Sequence, residues 1–224
     1  MPLTRRTFFA ASALMASLLT GRAMAQAVPE ALVGFGAMPL SDALARRESI
    51  RTYADGPIEE AQLLALLGAA NGVNRSDVDG RTAPSWRTAK DIEIYVAQAA
   101  GVSHYDAANN ALRPVSGDDI RSIASPQPFV ATAPVVLIFV TELSRILEAA
   151  GLEPDALDAL TEDHRIAAHV NAAVIAQNVY LFCAAEGLGT CLVGGADRAA
   201  LATALKLTDG QLVAYIQPVG HPAG

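Results

Sequence analysis

Three arginines and a serine stand within six residues, RRESIR at positions 46–51, in a chain of 224 residues that carries only 16 Lys+Arg against 23 Asp+Glu. Guanidinium groups make forked, charge-assisted bonds to phosphate or carboxylate oxygens, and a hydroxyl between them can donate one more. Arg47, Ser49 and Arg51 are therefore candidates to hold a small anion, with Arg46 as an assistant or a surface residue. The plain alternative is a basic helix end that complements a C-terminal dipole. A second feature is Gly194-Gly195, directly after the apolar run Thr190–Val193. Paired glycines there let the backbone approach a flat ligand closely, or simply turn tightly. Metal chemistry finds no support in the spacing: His104 and His221 are isolated, and His164 and His169 are five apart, off a shared helical face. Cys183 and Cys191 fall in a helical and a strand pattern and read as two buried, unpaired thiols.

The elements that must position these residues alternate between helix and strand. Ser41 is the expected N-cap of a helix through about Arg47, and Ile58–Ala70 has the acidic first turn and apolar period of an amphipathic helix. Ile92–Val96 alternates as a strand does, and Val102–Val115 reads as a hairpin turning at Asp-Ala-Ala-Asn-Asn. Pro134 opens PVVLIFV, a continuous apolar run suited to the middle of a sheet. The strongest helix spans about Arg165–Glu186 and ends at Gly187. Apolar residues cover most of its circumference, which predicts burial on nearly every side, in the core and against a second subunit. Asn171, Gln177 and Asn178 on it then need hydrogen-bond partners and are expected to be structural. Asp197 is placed to cap the next helix, and Gln211–Val219 reads as a last strand.

The N-terminus has the layout of a cleavable export signal. Arg5 and Arg6 precede an apolar stretch from Phe8 to Leu19, and Ala23 and Ala25 flank Met24. That stretch is too short for a stable membrane span. Thr4-Arg5-Arg6-Thr7-Phe8-Phe9 matches the twin-arginine pattern, a route that passes folded proteins, often around a cofactor, and predicts a periplasmic location. Residues 1–25 are thus read as the signal and 26–224 as one domain. Loss of Arg5, Arg6 and Arg22 with the signal takes the net charge from −7 to −10. That acidity disfavours nucleic acid and anionic membrane surfaces as partners.

Read in order, Arg47-x-Ser49-x-Arg51, AANG (69–72), GRTAPSW (80–86), IEIYV, YDAANNAL, APVVLIFV, QNVYLFCAAEGLGT (177–190) and QPVGHP resemble the nitroreductase-like FMN flavoproteins, and most nearly their single-domain, SagB-type members. The resemblance spans about Ser41 to Pro222. It implies an α+β fold, a central mixed or antiparallel sheet flanked by helices, and a homodimer with FMN at the subunit interface, across which the long apolar helix packs. By the same resemblance Arg47, Ser49 and Arg51 hold the FMN phosphate and the pyrimidine side of the ring. Ser85 lies on a Pro-Ser loop brought by the partner subunit, and Thr88 stands where the family usually has Asn; Lys90 replaces a common Gln. Gln127 is implied as a polar flavin or interface contact, and the amides of Gly194 and Gly195 as facing flavin N5. The implied activity is two-step hydride or electron transfer through N5 to or from a small nitroaromatic- or quinone-like molecule. No side-chain acid or base is required for it, and the electron donor is not specified. The Lys-Tyr pair of the SagB-type azoline dehydrogenases has no match, since Lys90 and Lys206 are followed by Asp91 and Leu207. The alternative is an exported relative of this family that binds flavin weakly or not at all and does not turn over.

Overall fold

The computed structural model describes residues 32–223. The signal segment therefore lies outside the described residues. Strand β6 is fixed by its sequence, because VVLIFVTE leaves no polar face to turn toward water until its end. It spans Val135–Glu142 and follows α1 (Leu40–Arg46), α2 (Glu60–Asn71), β1 (Val73–Arg75), β2 (Gly80–Arg81), β3 (Ile92–Gln98), β4 (Gly101–Asp106), β5 (Ala111–Ser116) and α3 (Pro128–Thr132). It is followed by α4 (Leu143–Ala150), α5 (Glu162–Glu186), β7 (Gly189–Thr190), α6 (Arg198–Leu205) and β8 (Gln211–Gly220). β1 and β2 form a small ribbon, and the main sheet runs β5-β4-β3-β6-β8-β7 with every pairing antiparallel. β6 is thus an interior strand, between Tyr95 on β3 and Ile216 on β8 at Ile138.

Period-two alternation divides the core between the two faces of this sheet. Ile94, Val96, Leu137 and Phe139 face α2 and α5, where Leu63, Leu66, Ile175 and Val179 meet them. Val136, Ile138 and Val140 face α3 and α6, with Val130, Leu201 and Leu205 opposite. A register shift on β8 between Val213 and Tyr215, opposite Val140 and Phe139, is a β-bulge. Ala214 and Tyr215 both lie on the α5 side as a result, while Val213 and Ile216 lie on the other. The bulge aims Tyr215 at α5, where its ring meets His169 at 5.3 Å.

α5 starts three residues before the expected position. Thr161 caps it, its hydroxyl accepting from the His164 N–H while His164 Nδ1 accepts from the Thr161 N–H. It ends as expected at Gly187, whose φ of 70° is left-handed, and the Leu188 N–H returns to the Cys183 carbonyl. Its buried stripe includes Ala168, Asn171, Ala172, Ile175, Val179 and Phe182. Ile166 and Val170 on the opposite stripe remain 50% and 52% exposed, so a single chain does not bury the helix on nearly every side. α5 is long and apolar enough to cross a membrane, yet half of it is buried within the fold, as befits a core helix.

Other boundaries differ for local reasons. Ser41 lies inside α1 rather than capping it: the N-cap is Pro39, and the Ser41 hydroxyl bonds the Asp42 carboxylate instead. The strand expected over Thr190–Val193 shrinks to Gly189–Thr190 and an isolated bridge from Val193 to Ile216. The Leu192 N–H between them goes to Tyr180 Oη, not to a strand. Asn171 and Asn178 have the expected partners, but Gln177 is exposed and needs none. Both cysteines are buried and free.

Candidate functional site

The arginine segment leaves α1 in an extended conformation, Arg47 having φ −56° and ψ 118°. It is strapped to the sheet's β7 edge. The Ile50 N–H donates to the Thr190 carbonyl at 2.9 Å, Tyr53 bridges Pro222, and the Ala54 N–H donates to the His221 carbonyl at 2.8 Å. The Ile50 side chain fits where Gly189 has no Cβ; one built there would lie 2.8 Å from Ile50 Cγ2. Burial raises the pKa of the Tyr53 phenol, which stays protonated and donates to the Ile50 carbonyl at 2.8 Å. In an extended segment neighbours face opposite sides, so Ile50 turned to the sheet leaves Ser49 and Arg51 outward and exposed.

Tyr180 on α5 organises this segment. Its Oη lies 2.9 Å from Ser49 Oγ and accepts the Leu192 N–H at 2.8 Å, and the Arg47 guanidinium stands 5.5 Å from its ring centroid. Among the described residues none of Arg46, Arg47 or Arg51 has a carboxylate partner, whereas Arg81, Arg113, Arg121 and Arg145 each have one. Unpaired guanidinium groups beside a hydroxyl, in an acidic chain, are suited to an incoming anion.

From Thr190, bonded to Ile50, the chain reaches Gly194 in four residues, a span of at most about 14 Å. The Gly194 and Gly195 carbonyls are engaged by Arg198 and by Ser125 Oγ, at 3.3 and 2.8 Å. Both glycines are exposed. A Cβ on Gly194 would touch only Tyr215, at 4.0 Å, and one on Gly195 would come within 3.2 Å of Gln127 Nε2. The structure thus brings Gln127 to the glycine pair and links that pair, through residues 190–193, to Arg47 and Ser49.

Ser85 and Thr88 are elsewhere. Their segment is held at Asn171, whose Oδ1 accepts the Trp86 N–H at 2.8 Å; Asn171 precedes Tyr180 by nine positions on α5, or about 13 Å along the helix. Ser85 Oγ accepts the Lys90 N–H at 2.9 Å, the Thr88 hydroxyl donates to the Arg87 carbonyl at 2.6 Å, and Lys90 Nζ pairs with Asp79 at 2.9 Å. A single chain does not assemble Ser85 and Thr88 with Arg47. Ser85 borders instead a groove of about 450 Å³ lined by Pro84, Trp86, Ile166, Val170 and Val174, on the open stripe of α5.

Sequence reasoning missed three contributors. Tyr180 sits inside a recognised motif, but one Tyr on an apolar helix carries no local sign that its hydroxyl joins two loops. The Leu192 N–H is a backbone group and invisible to side-chain reading. Asp91, at the start of β3, is fully buried beneath the Ser85 segment, and burial pushes its carboxyl up to about 6 against the opposing Asn171 hydrogen bond and Arg145 charge.

Residues 44–221 match the profile of a family described as the nitroreductase family. A protein of Methanocaldococcus jannaschii assigned as a nitroreductase is 30% identical over 193 residues, covering 81% of this chain and 90% of the relative. An FMN reductase (NADPH) of Bacillus subtilis is 28% identical over 145 residues, 61% of this chain and 58% of that protein. Among solved structures, one from Ralstonia eutropha assigned as a nitroreductase superposes with a TM-score of 0.75 at 34% identity, covering 84% of each chain. An NADPH:FMN oxidoreductase from Vibrio harveyi shares the fold, with a TM-score of 0.59 at 20% identity over 83% of this chain and 69% of that one.

Proposed function

Because the chain belongs to the nitroreductase family, we propose that it is an FMN-dependent oxidoreductase whose site forms between two copies. The observation that carries this reading is the Arg47-Ser49-Arg51 segment, its guanidinium groups free of carboxylates among the described residues, fastened through Tyr180 and Thr190 to the exposed Gly194-Gly195 loop. The residues fit FMN: Arg47, Ser49 and Arg51 would hold its phosphate and pyrimidine side, and the glycine loop, with Gln127 beside it, would let the ring approach the backbone. When bound, FMN supplies hydride or electron transfer through N5, to or from a small nitroaromatic- or quinone-like molecule. The chain's own part is to bind the anion, orient the ring and exclude water.

The open face of α5 supports the same reading. Asn171, which holds the Ser85 segment, lies about 13 Å along α5 from Tyr180, which holds the arginine segment, and the apolar stripe beside Ser85 is open. A second copy packed on that stripe would bring its own Ser85 segment to the flavin. The reading extends to a SagB-type branch position, resting on the motif order from Arg47 to Pro222, and to export by the twin-arginine route. In the periplasm the donor would be a quinol, a redox protein or a reduced substrate that is itself oxidised in the reaction, rather than a cytoplasmic NAD(P)H pool.

The deciding measurement is the visible spectrum of the purified protein with FMN, before and after dithionite. Flavin bands that co-purify or saturate at one per chain and bleach on reduction support the enzyme. Arg47→Ala with Arg51→Ala should abolish FMN retention and leave the dimer intact. A wild-type protein that takes up no FMN supports instead the non-catalytic alternative, favoured by Thr88 and Lys90 being engaged within their own chain.

A further inference from the structure

Asp91 is fully buried at the start of β3, where a carboxylate is almost never found without a partner. Its Oδ1 accepts Asn171 Nδ2 at 2.6 Å, and Asn171 Oδ1 accepts the Trp86 N–H at 2.8 Å. Only one orientation of the Asn171 amide serves both neighbours; turned over, it would set its carbonyl against the carboxylate and its NH2 against the N–H. Asn171 is itself 2% exposed. The amide is therefore a two-ended clamp between a buried residue just before β3 and the backbone of the Ser85 segment.

That segment needs one. Arg87, Thr88 and Lys90 have φ values of 46°, 58° and 50°, a left-handed conformation that side-chain-bearing residues hold only where their surroundings over-determine it. Partly exposed groups add further restraints, among them Arg145 Nη1 on the Lys90 carbonyl at 2.7 Å, Arg87 Nη1 on the Ala149 carbonyl at 3.2 Å and the Lys90–Asp79 pair. Asn171 supplies the buried one, from the same helix that carries Tyr180 and the open stripe.

We propose that Asp91 and Asn171 are positioning residues, which fix the Ser85–Thr88 loop on α5 at the height where a second copy of the chain meets FMN held by Arg47, Ser49 and Arg51. This rests on the flavin and dimer reading above. The direction of each hydrogen bond makes the pair specific: the buried carboxylate orients the amide, and the amide orients the loop. Burial raises the Asp91 carboxyl, with Arg145 on α4 the charge opposing it; Arg81 and Lys90 line the same small cavity.

The test uses mixed dimers. Two differently tagged full-length copies are co-expressed, one carrying Asn171→Ala and the other Arg47→Ala with Arg51→Ala, and FMN affinity and stoichiometry are read by fluorescence titration. The Asn171→Ala homodimer should bind FMN about tenfold more weakly or worse, as for loss of a hydrogen bond anchored on a charge. The mixed dimer should keep one site of wild-type affinity, because both defects then fall in the same site. Wild-type affinity in the Asn171→Ala homodimer, or no wild-type site in the mixed dimer, overturns the proposal. Asp91→Leu removes the carboxylate and leaves the amide unoriented, with added bulk and an unpaired Asn171 Nδ2, whereas Asp91→Asn keeps the volume and an acceptor for that amide. Asp91→Leu should lose FMN affinity as Asn171→Ala does and Asp91→Asn should keep it; wild-type affinity in Asp91→Leu, or lost affinity in Asp91→Asn, also overturns the proposal. Failure of the unsubstituted protein to bind FMN is a distinct result, which removes the flavin reading itself.

Discussion

Replacing Tyr180 by Phe removes one oxygen and leaves the ring that carries Arg47. That oxygen makes two hydrogen bonds, to Ser49 Oγ at 2.9 Å and from the Leu192 N–H at 2.8 Å. Ser49 is exposed, and water will take the place of the lost bond at little cost. Leu192 is half-buried and has no other acceptor among the described residues, so its N–H is left unpaired, at about 1–2 kcal/mol. In a domain of this size each 1 kcal/mol lowers Tm by about 2–4 °C, so Tyr180→Phe should melt about 2–8 °C below wild type. The loop from Thr190 to Gly195 then loses its tie to the arginine segment, and FMN affinity should fall although no group assigned to the flavin has been changed. Calorimetry and FMN fluorescence titration measure the two effects separately. A variant that melts within 1 °C of wild type and binds FMN equally would refute the view that Tyr180 joins the two loops.

On the open stripe of α5, Val170→Asp alters a residue that is 52% exposed, so the isolated chain should lose little stability while sedimentation shows monomer and FMN affinity drops. Thr161→Ala removes the N-cap of α5 and should cost about 1 kcal/mol, a Tm decrease of about 2–4 °C with FMN binding unchanged. The buried Asp91 carboxyl, pushed up to about 6, binds protons more readily in the folded than in the unfolded chain. Its contribution is therefore present at low pH and is lost as pH rises from about 4 to about 6, by about 3 kcal/mol at most. Glu93 acts in the opposite sense: burial raises its carboxyl, but the His104 hydrogen bond and Arg145 outweigh burial and hold it low, so its stabilisation is lost as pH falls through the acid range. Melting curves of wild type and Asp91→Asn between pH 4 and 7 isolate the Asp91 part; a difference between the two proteins that does not change with pH would exclude it.

Periodicity alone was enough for the elements with a long, consistent pattern. PVVLIFV could only be an interior strand because it has no polar face, and the glycine after Glu186 could end α5 because a left-handed residue is needed there. The expectation that RRESIR binds an anion is also local, since it depends on residue types a few positions apart. Short or competing signals failed. Ser41 has a capping side chain, but Pro39 sets the helix start, and the Leu192 N–H is drawn from the sheet by a tyrosine twelve residues earlier.

What tertiary structure decided is which of these groups meet. Gln127 reaches Gly195, Tyr180 links Ser49 to Leu192, and Asn171 joins Asp91 to Trp86 across 80 and 85 positions of sequence. Such contacts depend on sheet order, on the bulge at Ala214 that turns Tyr215 toward α5, and on the rotation of α5 over the sheet. None of these is encoded by a residue's own neighbours. The apolar circumference of α5 shows the division most plainly: its composition determined that every side should be covered, whereas the fold decided that one chain covers only one side and leaves Ile166 and Val170 open.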